Sequence, residues 1–282
     1  MKKSLVIACL IMLSVAIVCT SNYVHASSPV ITRVQGPAQG TLSSGSISVT
    51  LTQTPQSGDA LIAVMGIEWT GSNQPQVGPV ITQTGVNWPG SHTWRVGDRA
   101  MEVWWGLVNS ASASKTITIS LPFMQGTGTV TCATADICEY SGLDTAFIQS
   151  QYIDQSADNL GTGTTIDTTA TSTTAYANEL WVGGALLNGH SQSSPTNGFT
   201  LLDGALNTGI SVSYLENIVS SNGQADTGTT GSGSGPWLAT LVTFPAATTT
   251  FVLPESAIGA LSAIIASAAS FIVWKKIKHQ KN

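Results

Sequence analysis

The sequence carries little charge, and positive charge is the scarcer kind. Only 9% of its 282 residues are Asp, Glu, Lys or Arg, against roughly 25% in an ordinary soluble domain. Between residues 27 and 254 the basic residues are Arg33, Arg95, Arg99 and Lys115. Fourteen acidic residues occupy the same stretch, which gives it a net charge of −10. Such a chain repels polyanions, so we expect no nucleic-acid partner.

Motifs for nucleophilic catalysis and nucleotide binding are also missing. The chain contains no G-x-S-x-G sequence, no P-loop and no Rossmann fingerprint. The stretch "ADICEY" is comparable to the E-x-D-x-x-E strand of jelly-roll glycosidases, with Asp136 and Glu139 at the last two acidic positions. Thr134 stands where the first carboxylate belongs, and residues three apart on a strand face opposite sides. We therefore predict no catalytic residues and no enzyme activity.

Cysteine is rare, and its spacing favours free thiols. Cys132 and Cys138 lie beyond the N-terminal segment and share one strand-like run. Six extended residues span about 20 Å, whereas a disulfide needs Cα atoms within about 7 Å. A disulfide is the alternative if a tight turn folds the run into a hairpin. The histidines of the same region, His92 and His190, are distant in sequence, so we expect no zinc site and no cofactor.

The N-terminus has the pattern of a secretory signal peptide. Two lysines precede fifteen uncharged, mostly apolar residues, Leu5 to Cys19, and the motif "VHA" follows, ending at Ala26. As a helix the apolar run reaches about 23 Å, short of the ~30 Å hydrocarbon core of a membrane. We predict a signal peptide over residues 1–26, cleavage after Ala26 and export of the chain.

The C-terminus has the pattern of a membrane anchor. Ala257 to Trp274 are eighteen residues without charge, about 27 Å as a helix and close to the hydrocarbon thickness. A lysine cluster that begins with Lys275 and Lys276 follows, and such clusters stay on the cytoplasmic side. We predict a transmembrane helix over 257–274 and a basic cytoplasmic tail over 275–282. The ectodomain is then outside the cell, anchored by its C-terminus in the cytoplasmic membrane.

The same tail is similar to the tripartite sorting signals of prokaryotic surface proteins. The pentapeptide "LPESA", which begins at Leu253, departs from the LPxTG pattern of sortase substrates in its last two residues. Its Pro-Glu pair is similar to motifs of exosortase and archaeosortase substrates. The resemblance implies recognition through Leu253, Pro254 and Glu255 and removal of the apolar run. The sequence leaves open whether the tail is a retained anchor or a removed label.

The segment between the two ends predicts an all-β ectodomain. Runs such as "SISVTLT" and "TITIS" alternate apolar and polar residues as strands do, and Gly, Pro, Asn and Asp mark the breaks. Over a dozen short strands in about 220 residues favour one β-sandwich of jelly-roll type, over residues 27–245. A linker-like stretch near 158–174 leaves two domains as the alternative. A Thr-rich stalk is predicted over 246–256.

Several short motifs resemble the jelly-roll, lectin-like modules of bacterial and archaeal secreted proteins. They are "GDALIAVMG", "EYSGL", "NELWVGG" and the closing pattern W-x-A-x-x-V-x-F, and they are spread over residues 59–244. The resemblance implies a β-sandwich fold and no particular activity.

Candidate ligand contacts are concentrated in "NWPGSHTWRVGDRAMEVWW", residues 87–105. Flat aromatic rings stack on sugar faces and charged groups bind hydroxyls, so we predict glycan contacts from Trp88, His92, Arg95 and Arg99. Core packing is the alternative, since the two adjacent tryptophans that end the stretch must point to opposite faces of a strand.

Metal ligands are only weakly indicated. Asp154 and Asp158 in "DQSADN" are weak candidates for calcium ligands, with an ordinary polar turn as the alternative.

These patterns together predict a membrane-anchored cell-surface β-sandwich with a structural or adhesive role. Extracellular glycans and surface-layer proteins are the candidate partners. One alternative is a filament subunit that assembles by strand addition at an exposed sheet edge. A polysaccharide hydrolase is the third hypothesis.

Overall fold

The computed structural model describes residues 30–71, 78–122 and 128–248, which belong to one compact unit, Ser28–Thr248. Within these residues the secondary structure consists of fifteen strands and one short helix, α1, Thr145–Gln149. The strands are β1 Thr32–Ser43, β2 Ser46–Thr50, β3 Ala60–Trp69, β4 Val80–Thr82, β5 Val86–Val96, β6 Arg99–Val108, β7 Thr116–Ser120, β8 Val130–Ser141, β9 Ser156–Asp167, β10 Glu179–Asn188, β11 Gln192–Ser193, β12 Thr200–Asp203, β13 Leu206–Asn207, β14 Ile210–Val219 and β15 Gly228–Pro245.

The strands form two antiparallel sheets. The first has eight strands in the order β4-β7-β2-β1-β8-β3-β6-β5. The second has seven, of which β11-β15-β10-β14-β12 form the main path, while β9 pairs with β15 and β13 pairs with β14. The predicted all-β class is therefore confirmed, and the two sheets agree with a β-sandwich.

The first sheet is buried on both faces, because β2, β4 and β7 fold back over the face that the second sheet leaves uncovered. On β3, Ile62 and Val64 pack toward the second sheet, whereas Leu61 and Met65 pack with the side chains of β2 and β7. A strand covered on both faces has a continuous apolar run rather than an alternating one. This explains the sequence "ALIAVMGIEW".

The two sheets approach each other closely at Gly184. A Cβ added at Gly184 of β10 would lie 2.8 Å from Met101 Cε and closer still to Val64. Trp105 packs edge-on against Phe244 in the same core, with ring centroids 5.6 Å apart. Because the interior is close-packed, there is no space for a side chain at position 184, and glycine is required there.

The linker-like stretch of the sequence is an edge strand. β9 pairs with β15, and the Trp237 ring lies across Gly161 of that pair. The Thr-rich residues that follow are bonded to another segment of the unit: Thr171 N donates to Ala225 O at 2.9 Å. The chain therefore does not divide into two domains here.

The chain enters and leaves the unit at one end of the sandwich. Thr32 at the start of β1 pairs with Ser141, and Ala247 N donates to the neighbouring Gly142 O at 2.8 Å. We call this the basal end. The opposite end, called the distal end, holds the turn between β5 and β6 and the end of β10 at Asn188.

The predicted terminal segments lie outside the described residues. These are the signal peptide, the transmembrane helix, the basic tail and the sorting residues Leu253, Pro254, Glu255, Lys275 and Lys276. Of the predicted stalk, residues 246–248 are described, and Ala246 is buried and pairs with Leu143. In residues 30–71, 78–122 and 128–248, no helix has the length and apolarity to cross a membrane.

Candidate functional site

The four predicted glycan-contact residues lie on one hairpin at the edge of the first sheet, formed by β5 and β6. The Trp88 ring lies across Gly106 of β6, where an added Cβ would be 2.8 Å from the ring. Its indole N–H is buried and has no hydrogen-bond partner among the described residues. An aromatic ring placed over a glycine of the neighbouring strand stabilises a sheet edge. Trp88 is thus half-buried, and one face of its ring is occupied by packing.

His92 joins the two sheets. Its Nε2 lies 3.0 Å from both carboxylate oxygens of Asp158, and Thr240 Oγ1 donates to Asp158 Oδ1 at 2.6 Å. His92 is on β5 of the first sheet, whereas Asp158 and Thr240 are on β9 and β15 of the second. His92 was predicted as a glycan contact and Asp158 as a calcium ligand. The structure instead brings the two together in a polar bridge between the edges of the two sheets.

Arg95 is held by a buried carboxylate. Glu102 is fully buried, and it accepts hydrogen bonds from Arg95 Nη2 at 2.9 Å and from Trp104 Nε1 at 2.7 Å. Burial raises the pKa of Glu102, and the two donors oppose that rise. Trp104 and Trp105 point to opposite faces of β6, as predicted, and Trp105 lies in the core between the sheets.

Arg99 lies in a polar cluster at the distal end. Its Nε donates to Glu68 Oε1 at 3.3 Å, and its Nη2 is 3.6 Å from Asp98 Oδ1. Asn188 Nδ2 donates to the same Glu68 oxygen at 2.7 Å. We call these four residues the distal cluster. The Asp98 side chain is 50% exposed, so charged and amide groups of both sheets reach solvent at this end.

The two weak calcium candidates have different partners. Asp154 Oδ2 accepts a hydrogen bond from Ala175 N at 2.8 Å and lies beside Glu179, away from the bridge that holds Asp158. Burial raises the pKa of Glu179 to about 7, and Asp154 adds to the rise while Trp181 opposes it. No cluster of three or more His, Cys, Asp or Glu side chains in the described part of the chain is arranged to hold a metal ion.

A second carboxyl pair joins two motifs of the jelly-roll resemblance, through Asp59 of "GDALIAVMG" and Glu139 of "EYSGL". Glu139 is fully buried and accepts hydrogen bonds from Gln35 Nε2 and, at 2.6 Å, from Gln56 N. Burial and the neighbouring Glu139 raise the pKa of Asp59 to about 7. Asp59 and Glu139, which belong to two different motifs, are thus in contact in the folded domain.

Asp136 belongs to a third carboxyl pair, with Asp203. Gln39 Nε2 donates to Asp136 Oδ1 at 3.2 Å and also to Asp203 Oδ2. Burial and the Asp203 charge raise the pKa of Asp136 to about 8. Asp136 and Glu139 contact different partners on opposite faces of β8, as predicted.

Sequence reasoning missed these carboxyl pairs, because the partners are distant in the chain. A usable signal was present in "TVTCATADICEY", where acidic residues interrupt a run that otherwise has the composition of a buried strand. Acidic residues are almost never fully buried unless they are paired, so such a strand predicts partners even when it does not identify them.

Both thiols are free, as predicted. Cys132 and Cys138 lie on the regular strand β8. Burial raises the pKa of Cys138 to about 12 and also raises that of Cys132, so neither is an activated thiolate.

The chain matches no protein-family model, no curated protein and no solved structure. The polar side chains of the two sheets connect strands and sheets in pairs, and the distal cluster reaches solvent through Asp98. Two features of the described unit bear on function, namely the end at which the chain leaves it and the polar groups at the opposite, distal end.

Proposed function

We propose that this chain is a cell-surface protein, anchored by its C-terminal tail in the cytoplasmic membrane, whose β-sandwich has a structural or adhesive role and no enzymatic activity. The observation that carries the proposal is the common position of the two chain ends, at Thr32 and Ala247. A domain attached through its basal end leaves the distal end free to meet a partner. The apolar run over residues 257–274 supplies the attachment in the sequence.

Glycans are the proposed ligands, and the distal cluster is their proposed contact. Asp98, Arg99 and Asn188 present a carboxylate, a guanidinium and an amide, the groups that bind sugar hydroxyls. The His92 bridge and the Arg95–Glu102 contact hold the β5–β6 hairpin from which Arg99 projects. On this proposal Trp88, His92 and Arg95 support the site, and Arg99 contacts the ligand.

The filament alternative requires an open strand edge, and both edges on this side of the sandwich are obstructed. On β9, Asn159 Oδ1 accepts the Leu160 N–H at 2.9 Å, and Thr169 Oγ1 donates to Asp158 O at 3.4 Å. On β5, Pro89 lies in an irregularity of the ladder. Such features discourage strand addition, which favours a display module over a filament subunit.

The hydrolase alternative requires two carboxyl groups with a substrate bond between them, about 5 Å apart in retaining enzymes and more in inverting ones. The Asp136 and Asp203 carboxyl groups instead lie within hydrogen-bonding distance of each other. The carboxyl groups of Asp59 and Glu139 also lie within hydrogen-bonding distance of each other. This geometry supports a role in the fold for both pairs.

A glycan array probed with the full-length protein in mild detergent tests the ligand. Arg99→Gln is expected to weaken binding at least about tenfold, because a charged hydrogen bond is worth roughly 1.5–3 kcal/mol. The matched control is Arg33→Gln, whose guanidinium is paired with Glu216 at 3.5 Å elsewhere on the sandwich. Undiminished binding by Arg99→Gln, or equal loss in both variants, would contradict the assignment of the distal cluster.

A further inference from the structure

A polar cluster spans the two sheets on the side where Gln39 reaches solvent. Gln39 and Asp136 face each other across the β1–β8 ladder of the first sheet, and Asp203 ends β12 of the second. Gln39 Nε2 contacts both carboxyl groups, and Asn207 Nδ2 donates to Gln39 Oε1 at 3.0 Å. Two carboxyl and two carboxamide groups from four different strands thus meet at one point.

One atom of this cluster has no donor. Asp136 is fully buried, and its Oδ1 accepts from Gln39. Its Oδ2 is buried as well, and no hydrogen-bond donor from the described residues reaches it. The Asp203 carboxyl lies beside Asp136 and is another acceptor, so this neighbour adds negative charge rather than a donor. Roughly 90% or more of the buried polar groups in native proteins have a partner from the protein or from ordered water. Glu179 Oε1 and Glu216 Oε2 are also buried without a donor, but neither lies in a cluster of two carboxyl and two carboxamide groups.

We propose that Asp136, Asp203, Gln39 and Asn207 form a binding site for a divalent cation, with Ca²⁺ as the ion that fits best.

The chemistry of the donors selects this class of ligand. Calcium takes six to eight oxygen ligands from carboxylates, amide carbonyls and water, in flexible geometry. Asp136 and Asp203 neutralise its two charges. Rotation of the Gln39 and Asn207 amides by half a turn exchanges nitrogen for oxygen, so both side chains can present a carbonyl. Because Gln39 is exposed, solvent reaches one side of the cluster.

The charge of the cluster fits a divalent cation. Two carboxylates in contact at low dielectric repel each other, and a positive ion held between them relieves that repulsion. Coordination of Ca²⁺ by both carboxylates needs no other reactant.

The Asp59–Glu139 pair provides a matched control, because its donors are already complete. Both oxygens of Glu139 accept hydrogen bonds, from Gln35 and from Gln56 N. Glu139 has no unsatisfied oxygen, so Asp59→Asn changes a carboxyl pair of the same kind without touching the proposed site.

The test is thermal unfolding of the full-length protein in mild detergent at pH 7.5, first with EDTA and then with CaCl₂, alongside calorimetric titration with CaCl₂. We expect calcium at a hundred times its Kd to raise the midpoint by about 5 °C or more. Asp136→Asn and Asp203→Asn keep the shape of the cluster and are expected to fold, but to lose at least about nine-tenths of the calcium-dependent rise. Asp59→Asn is expected to keep it.

Two outcomes would overturn the proposal. One is the absence of any rise with CaCl₂, MgCl₂ or MnCl₂ in the wild-type protein, which would show that the position holds a proton only. The other is an equal rise in wild type and Asp136→Asn, which would place the cation elsewhere. Because no glycan and no membrane attachment enters this experiment, its failure is distinguishable from failure of the proposed function.

Discussion

Three of the four fully buried acidic residues in the described part of the chain, Asp136, Glu139 and Glu179, lie beside another carboxyl group. Burial, with a contribution from the neighbouring carboxyl, raises the pKa of one member of each pair, to about 7 for Asp59 and Glu179 and to about 8 for Asp136. This arrangement is the reverse of the usual one, in which a buried carboxylate is paired with a cation and loses stability in acid. These groups therefore favour the folded state most when they are protonated.

Stability is expected to fall as the pH rises. The folded state raises the pKa of Asp59 and Glu179 to about 7 and that of Asp136 to about 8, whereas the unfolded chain releases these protons near pH 4. Between those limits the folded state binds more protons, so each increase in pH favours unfolding. In EDTA, the thermal midpoint should be lower at pH 8.5 than at pH 4.5, by about 5 °C or more.

The same measurement on Asp136→Asn identifies the source of this dependence. Asparagine cannot ionise and can donate to Asp203, so the fall between pH 6 and 8.5 should be smaller in the variant than in wild type. A midpoint that rises from pH 4.5 to 8.5 in the wild-type protein would show that these carboxyl groups do not keep their protons in the folded state.

Gly184 lies where the two sheets leave no room for a methyl group. In Gly184→Ala the new methyl group would meet Met101 and Val64 between the sheets. Overpacking of this kind costs about 1–3 kcal/mol, which urea unfolding would detect. Gly223→Ala is the control, because its Cβ would lie 3.7 Å from the nearest atom, Trp181 Cη2, an ordinary contact. Equal destabilisation of the two variants would argue against a close approach of the sheets at Gly184.

At the scale of elements, central strands with an apolar composition could be predicted from the sequence. Edge strands whose conformation depends on pairing with a neighbouring strand could not. β3 and β10 are buried on both faces, and their composition alone marks them as strands. β9 is a Gly- and Thr-rich edge strand whose structure depends on β15, so local sequence resembles a linker. The "NWPG" stretch, predicted as a turn, lies inside β5, where the ladder to β6 is irregular between Asn87 and Gly90. The pairing of the edge overrides the local turn preference.

The β5–β6 hairpin depends on the contact between Arg95 and Glu102. In Arg95→Met, Glu102 would remain buried without its guanidinium partner, and loss of one member of a buried pair typically costs about 3–5 kcal/mol. Arg33→Met is the comparison: its side chain is 32% exposed and that of its partner Glu216 is 12% exposed, so loss of this pair should cost less than loss of the pair with the fully buried Glu102. Urea unfolding measures both.

A double variant separates the buried charge from other contacts of Arg95. Arg95→Met combined with Glu102→Gln should recover part of the lost stability, because no uncompensated charge remains. If the double variant is less stable than Arg95→Met alone, the buried carboxylate is not the source of the cost.

At the scale of the whole molecule, the sequence predicts the class of fold but not its layers or its polar pairs. Alternation and turn residues indicate an all-β domain, and the absence of helix periodicity excludes a mixed one. They do not show that β2, β4 and β7 cover the outer face of the first sheet, since this depends on the pairing of β1 with β8 along most of its length and with β2 at its end. Of the candidate residues, Arg99 lies among open polar groups, whereas Trp88 and His92 are engaged in packing and in a bridge. Residue type and spacing could not distinguish these cases, because the contacts of Trp88 come from a neighbouring strand and those of His92 from the other sheet.

The tail gives the last prediction. Residues 257–274 carry no charge and are long enough to cross a membrane, and the lysines beyond them fix the cytoplasmic end. Deletion of residues 257–282 should therefore release the domain into the medium, folded, because Ala247 closes the last hydrogen bond of the described unit well before the deletion. Replacing Ile264 and Ile265 by Lys should act in the same way, since each central charge costs about 2.5–3.5 kcal/mol of insertion free energy. Replacing the same pair by Leu is the control and should leave the protein in the envelope fraction.

Retention of the deletion variant in the envelope would show that the tail is not the tether. An intact mass that corresponds to a C-terminus near Leu253 to Ser256 with an adduct would identify the run as a removed sorting label.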